Sequence, residues 1–211
     1  MPCASSSLFR CPVFDGAADP TVIHRRGTAE WWMFYTARRA TLTTGGVDWI
    51  TGTRIGIAVS TDAGASWQYR GVVEGLDPEV APSLNTHWAP EVVWHDGSYH
   101  MFLTWGAGAP GTWAEQTERR LVHFTSTDLE HWEFEARVDV GSENVIDAAF
   151  AVVADGRPDC GSRTRWTVPP RGRRSGKNRP SGKKRAAAAA APPSDAPDAR
   201  LRVATGMPRG R

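Results

Sequence analysis

Two stretches of this chain repeat one another. "DPTVIHRRGTAEWWMFYT" (19–36) aligns with "APEVVWHDGSYHMFLT" (89–104), Pro20 on Pro90 and Met33 on Met101, with two extra residues in the first turn. Each leads into a second paired signature. "IGIAVSTDAGASWQYRG" (55–71) matches "LVHFTSTDLEHWEFEA" (121–136), with Ser60, Thr61 and Asp62 on Ser126, Thr127 and Asp128, and Trp67 on Trp132 after a one-residue deletion. A third cycle opens at "VIDAAFAVVADGR" (145–157). A repeat of roughly 65–70 residues points to solenoids, propellers or arrays.

Each cycle reads as four short strands: apolar and aromatic runs bounded by Gly, Asp and Asn turns, with no helical period. A four-stranded sheet cannot bury both faces alone, and packing several radially buries them. A sandwich also has short strands but no reason to repeat one turn and one Trp at a fixed interval. The expected fold is therefore an all-β propeller of four-stranded antiparallel blades, with a lead-in over 1–13 and the propeller domain over 14–158. "STDAGASW" resembles the Asp-box of sialidase-type propellers, a hairpin tip in which Asp62 accepts turn amides, Gly64 takes a positive φ and Trp67 packs back.

Charge divides the chain. Residues 1–158 hold 11 Arg, no Lys and 20 Asp plus Glu, a net −9; residues 159–211 hold 14 Lys plus Arg against three Asp, a net +11. Nine of the ten Trp lie in the first part. The basic part has almost no aromatics and ends an Ala run in Pro-Pro, so a disordered tail is expected over 159–211. No aromatics interleave with its charges as in a single-strand binder, which argues against a nucleic-acid partner. Arg, Ala, Gly and Pro are what a GC-rich gene yields out of frame, and a frameshift interrupting the third repeat is the favoured reading. Cys3, Cys11 and Cys160 form neither a disulfide framework nor a metal-ligand spacing. No signal-peptide h-region or membrane-length apolar run is evident, so a cytoplasmic location and no membrane partner are expected.

In a propeller the innermost strands of successive blades converge on the axis. Asp19 opens the first repeat and Asp147 the third, and Glu91 lies two residues further along its own strand. Carboxylates from different blades meeting in one funnel suit glycoside hydrolysis. His87, His95, His100 and His123 form no HExxH or comparable cluster, so no metal and no cofactor are expected.

The order "ADPTVI", "WWMFYT", "HWAPEVVWHDGSYHMF", "STDLEHWEF", "VIDAAF", over roughly 14–157, resembles glycoside hydrolase family 43 and its close five-bladed relatives. The resemblance implies about two and a half of five blades and an inverting arabinofuranosidase- or xylosidase-like activity on oligo- or polysaccharide. Asp19 then matches the base that activates water, and Asp147 the second Asp that orients and tunes the acid. Trp88 and Glu91 match the Trp-Ala-Pro-acid signature beside the sugar, with His87 adjoining them. The family's general acid is a Glu in a later blade, whereas no Glu follows Asp147 here. An inactive fragment is therefore expected. The alternatives are a non-catalytic carbohydrate-binding propeller and a sialidase-like enzyme, the latter lacking an Arg cluster around Tyr35, Tyr69 or Tyr99.

Overall fold

The β-branched and aromatic runs favour a pleated, half-buried surface, and the hairpin turns between them set the register. The computed structural model describes residues 9–78, 84–109, 111, 118–141, 144–153 and 200–206, the backbone alone for 151–153 and 200–206. Among the described residues every regular element is a strand. β1 (Gly16–His24), β2 (Trp31–Arg38), β3 (Arg54–Ser60) and β4 (Gln68–Val72) form one antiparallel meander. β5 (Thr86–His95), β6 (Ser98–Gly106), β7 (Arg119–Ser126) and β8 (Glu133–Val138) form a second of the same order. β9 (Ile146–Val153) pairs with β10 (Arg200–Gly206).

The meanders pack as adjacent propeller blades do. Trp32, Phe34, Ile55, Ile57 and Val59 of the first blade share one buried cluster with Val92, Tyr99, Met101, Leu103, Trp105, Val122 and Phe124 of the second. Trp132, from the β7–β8 turn, reaches back across this seam and meets Phe34 edge to face at 5.8 Å. The equivalent Trp67 packs on the opposite face of blade one, with Tyr35, Met33 and Cys11. Part of the lead-in is thus structural: Cys11 is buried and Phe9 lies against Tyr35 at 5.3 Å. A smaller cluster of Phe102, Leu121, Val140 and Val145 joins blade two to Ala148 and Phe150 of β9.

The turns follow from their residues. Asp96 and Gly97 both take positive φ (45° and 81°), the two-residue hairpin whose twist matches its strands. In the first β3–β4 turn, Asp62 accepts from the Ser66 amide (2.8 Å) and from the Ser60 and Ser66 hydroxyls (2.7 and 2.5 Å). The Ser66 and Ser60 hydroxyls hold its carboxyl down to about 2. Asp128 does the same work in the β7–β8 turn, accepting from the Glu130 and His131 amides, both at 2.8 Å.

One expectation changes. Arg200–Gly206 lies in the stretch read as a structureless basic tail, yet it forms a strand antiparallel to β9. Within "RLRVAT" apolar and basic residues alternate with the period of a strand, a local signal lost when composition is averaged over 53 residues. The rest of the tail expectation falls on residues outside those described.

Candidate functional site

The first strands of the three sheets, β1, β5 and β9, lie side by side, and each carries the same irregularity. The β1–β2 register shifts between Ala18 and Thr21, the β5–β6 register between Trp88 and Glu91, and the β9–β10 register at Asp147. At each bulge one non-glycine residue takes a left-handed backbone: Asp19 (φ 47°), Ala89 (φ 46°) and Asp147 (φ 59°). A bulge re-aims its side chain out of the strand's alternation.

A threonine on the second strand of each blade ties the next blade's bulge in place. Thr36 Oγ1 on β2 accepts the Ala89 amide at 2.8 Å. Thr104 Oγ1 on β6 accepts the Asp147 amide at 3.2 Å. These threonines are equivalent, each three residues after the aligned methionine, and both are buried. The aim of Asp147 is thus fixed by the blade before it.

Asp19 Oδ2 accepts from Arg38 Nη2 at 3.1 Å, and the Thr36 hydroxyl stands at 3.5 Å. Burial, and secondly the charge of Asp19, push the Asp147 carboxyl above the ordinary aspartate range, while Arg38 pulls it down. Asp147 stays open to solvent on one side although the surrounding atoms crowd it. The Asp147 carboxylate of blade three therefore feels Asp19 of blade one, and the Arg38 guanidinium that donates to Asp19 acts on Asp147 as well. That arrangement can hold a water or sugar hydroxyl against a base while a second carboxyl stays readier to keep its proton.

The other sequence candidates lie differently. Glu91 is half-buried; burial raises its carboxyl pKa, and the Phe150 amide it accepts opposes the rise, joining β5 to β9. His87 is fully buried, not on a sugar-facing surface. Its Nε2–H donates to Asp77 at 3.0 Å, and Asp77 also accepts from Asn85 (2.8 Å) and Arg54 (2.8 Å). Burial lowers the His87 pKa against the pull of Asp77, and the ring is a buried strut. Trp88 is only 7% exposed and its indole donates to the Ile50 carbonyl at 2.7 Å. It offers no free face for a ring to stack on. The physical reason is shared: β5 has β1 and β2 against it on one side and β9 on the other, so residues before the bulge are buried whichever way they point.

Sequence reasoning missed Arg38, Thr36 and Thr104. The threonines were visible as aligned "FYT" and "FLT"; Arg38 had no counterpart to mark it. His100 Nδ1 and His123 Nε2 meet at 2.9 Å in blade two, where the His123 ring stacks on Phe102. Burial, then His100, lowers His123 to about 3. Among the described residues no group of three or more His, Cys, Asp or Glu is placed to hold a metal ion.

No protein-family model matches the chain, and no curated protein matches it. Solved structures similar to it include a family 117 glycoside hydrolase of the marine bacterium Zobellia galactanivorans (17% identity, 70% of this chain and 52% of that one, TM-score 0.49). A GH43 β-1,3-galactosidase (18%, 65% and 39%, TM-score 0.45) and a GH43 protein from Bacillus licheniformis (22%, 70% and 27%, TM-score 0.45) are others. The chain spans about half the length of the first and less of the other two. The placing of Asp19 and Asp147 rests on this chain's own geometry.

Proposed function

We propose that the mouth formed by β1, β5 and β9 is a glycosidase site of the arabinofuranosidase or xylosidase kind. Asp19 is the base that activates water, and Asp147 the second carboxylate that tunes the acid. The observation that supports this best is the pair itself: two carboxylates on equivalent bulges of different blades, coupled in charge and sharing Arg38. A lone bulge aspartate needs no such partner, whereas glycoside hydrolysis works with carboxyl groups whose pKa values are set apart.

No Glu follows Asp147 in the 211 residues, so this stretch by itself supplies no counterpart to the proton donor that the family resemblance leads one to seek. Loss of general-acid assistance forfeits about 10²–10⁴ in rate. The chain accordingly binds pentosyl saccharides and turns over only substrates whose leaving group departs without a proton.

The test compares dinitrophenyl with methyl α-L-arabinofuranoside and β-D-xyloside. Slow release from the first and none from the second is expected, with Asp19→Asn abolishing the trace and lowering the Asp147 pKa read from its carboxyl ¹³C shift. Equal rates on both substrates, or an Asp147 titration indifferent to Asp19→Asn, refutes the assignment.

A further inference from the structure

We infer that Trp49 is the aromatic platform on which a sugar ring of the bound saccharide stacks. The inference rests on the proposal that the Asp19–Asp147 mouth takes a saccharide, and it moves to Trp49 the role that burial closes to Trp88. Sugars bind aromatic faces because their axial C–H groups form an apolar, weakly positive patch against the negative face of the ring, so a platform must be exposed, rigid and beside the reacting groups.

Trp49 is 40% exposed. Its position beside the mouth follows from one side chain: the Arg38 guanidinium carbon lies 5.8 Å from the Trp49 ring centroid, while its Nη2 lies 3.1 Å from Asp19 Oδ2. Ring and carboxylate are thus separated by one guanidinium and its two contacts. Trp31, the other exposed Trp among the described residues (37%), sits at the opposite end of β2 against His24. Eight strand residues make β2 roughly 25 Å long at about 3.3 Å per residue, so Trp31 is remote from the mouth.

The exposure of Trp49 does not come from a loose loop. It belongs to the β2–β3 connection, residues 39–53, whose tip is a closed turn: the Ile50 and Thr51 amides donate to the Val47 carbonyl at 3.0 and 3.1 Å, and the Thr51 hydroxyl to the same oxygen at 3.2 Å. The Arg39 amide donates to the Trp49 carbonyl itself at 2.8 Å, and the Arg39 guanidinium holds the Thr51 carbonyl. Trp88 completes the frame through the Ile50 carbonyl. The buried tryptophan of the Trp-Ala-Pro-Glu motif is a prop for the loop that presents the exposed one.

The full chain, labelled with 5-fluorotryptophan, is titrated with arabinotriose and with xylotriose and followed by ¹⁹F NMR, the Trp49 resonance being assigned by its loss in Trp49→Phe. The Asp147 carboxyl ¹³C shift is followed in parallel. One trisaccharide is expected to move both signals together, and Trp49→Ala to weaken its Kd about tenfold or more, the scale of truncating a tryptophan anchor, with the urea midpoint unchanged. If Asp147 responds while the Trp49 resonance stays still and Trp49→Ala keeps its Kd within about twofold, the platform is wrong and the saccharide mouth stands. If neither signal moves with either sugar, the reading of the mouth falls and Trp49 with it.

Discussion

Replacing Thr104 by Val tests whether the threonine tie holds the third bulge. The two side chains have nearly the same shape, so packing around the buried position is kept while the acceptor for the Asp147 amide, 3.2 Å away, is lost. A donor left without its partner costs about 1–3 kcal/mol. This bond is part-buried, so water can replace some of it, and the lower half of that range applies. The added methyl returns up to about 0.8 kcal/mol, leaving a net loss of about 1 kcal/mol. With a urea m-value of roughly 2 kcal/mol/M, the midpoint falls by about 0.5 M. Thr104→Ser keeps the oxygen and serves as the control: it preserves the Asp147 amide resonance, which Thr104→Val shifts. Thr36→Val loses a shorter bond, 2.8 Å to Ala89, and with it the contact to Asp19, so its loss is the larger. A Thr104→Val protein with an unmoved midpoint and an unmoved Asp147 amide refutes the tie.

Further outcomes follow from other parts of the molecule. Asp77 is held well below the usual carboxylate range chiefly by His87, with Arg54 and Asn85 adding to it against the opposing effect of burial. Its contribution to stability is therefore complete above its unfolded pKa of about 3.9 and is lost as pH falls through that value towards the lower folded one; urea midpoints from pH 7 to 3 should decline less in Asp77→Asn than in the parent. A Cβ on Gly56 would overlap the ring of fully buried Tyr35 across the β2–β3 pair, so Gly56→Ala costs about 1–3 kcal/mol, and Tyr35→Leu in the same chain recovers part of it in thermal unfolding. Ala89 carries a side chain at φ 46°, and Ala89→Gly should raise the urea midpoint through relief of about 1 kcal/mol of left-handed strain.

Much of the blade architecture was legible because the repeat carried it. Aligned Ser-Thr-Asp turns became equivalent hydrogen-bonded tips, and Trp132 packed between sheets as a turn tryptophan does. Asp19 and Asp147 fall on equivalent bulges because their register in the repeat was real. Burial at His87 and Trp88 was not legible: alternation along a strand tells faces apart only when one face meets water, and β5 is covered on both. Trp49 lies in a connection, where no period marks which residue will be presented. β10 was hidden for another reason, since 46 residues separate it from the end of its partner β9 and nothing local announces so distant a pairing.

Ala89 shows what the bulges are for. Left-handed backbone at a non-glycine residue is commonly read as strain stored for function, and at Asp19 and Asp147 that reading is tempting. Yet the same conformation and the same register shift occur at Ala89, with the threonine tie that Asp147 also has, and Ala89 has no group to contribute to chemistry. The bulge is therefore a property of how an innermost strand meets its neighbours, repeated in every described blade. What differs is the residue that stands there: a carboxylate in blades one and three, a methyl in blade two. In blade two the acid comes instead two residues later, as Glu91, where it accepts the Phe150 amide and is spent on joining strands. The bulge backbone and its threonine tie therefore do not depend on which of these residues stands at the bulge.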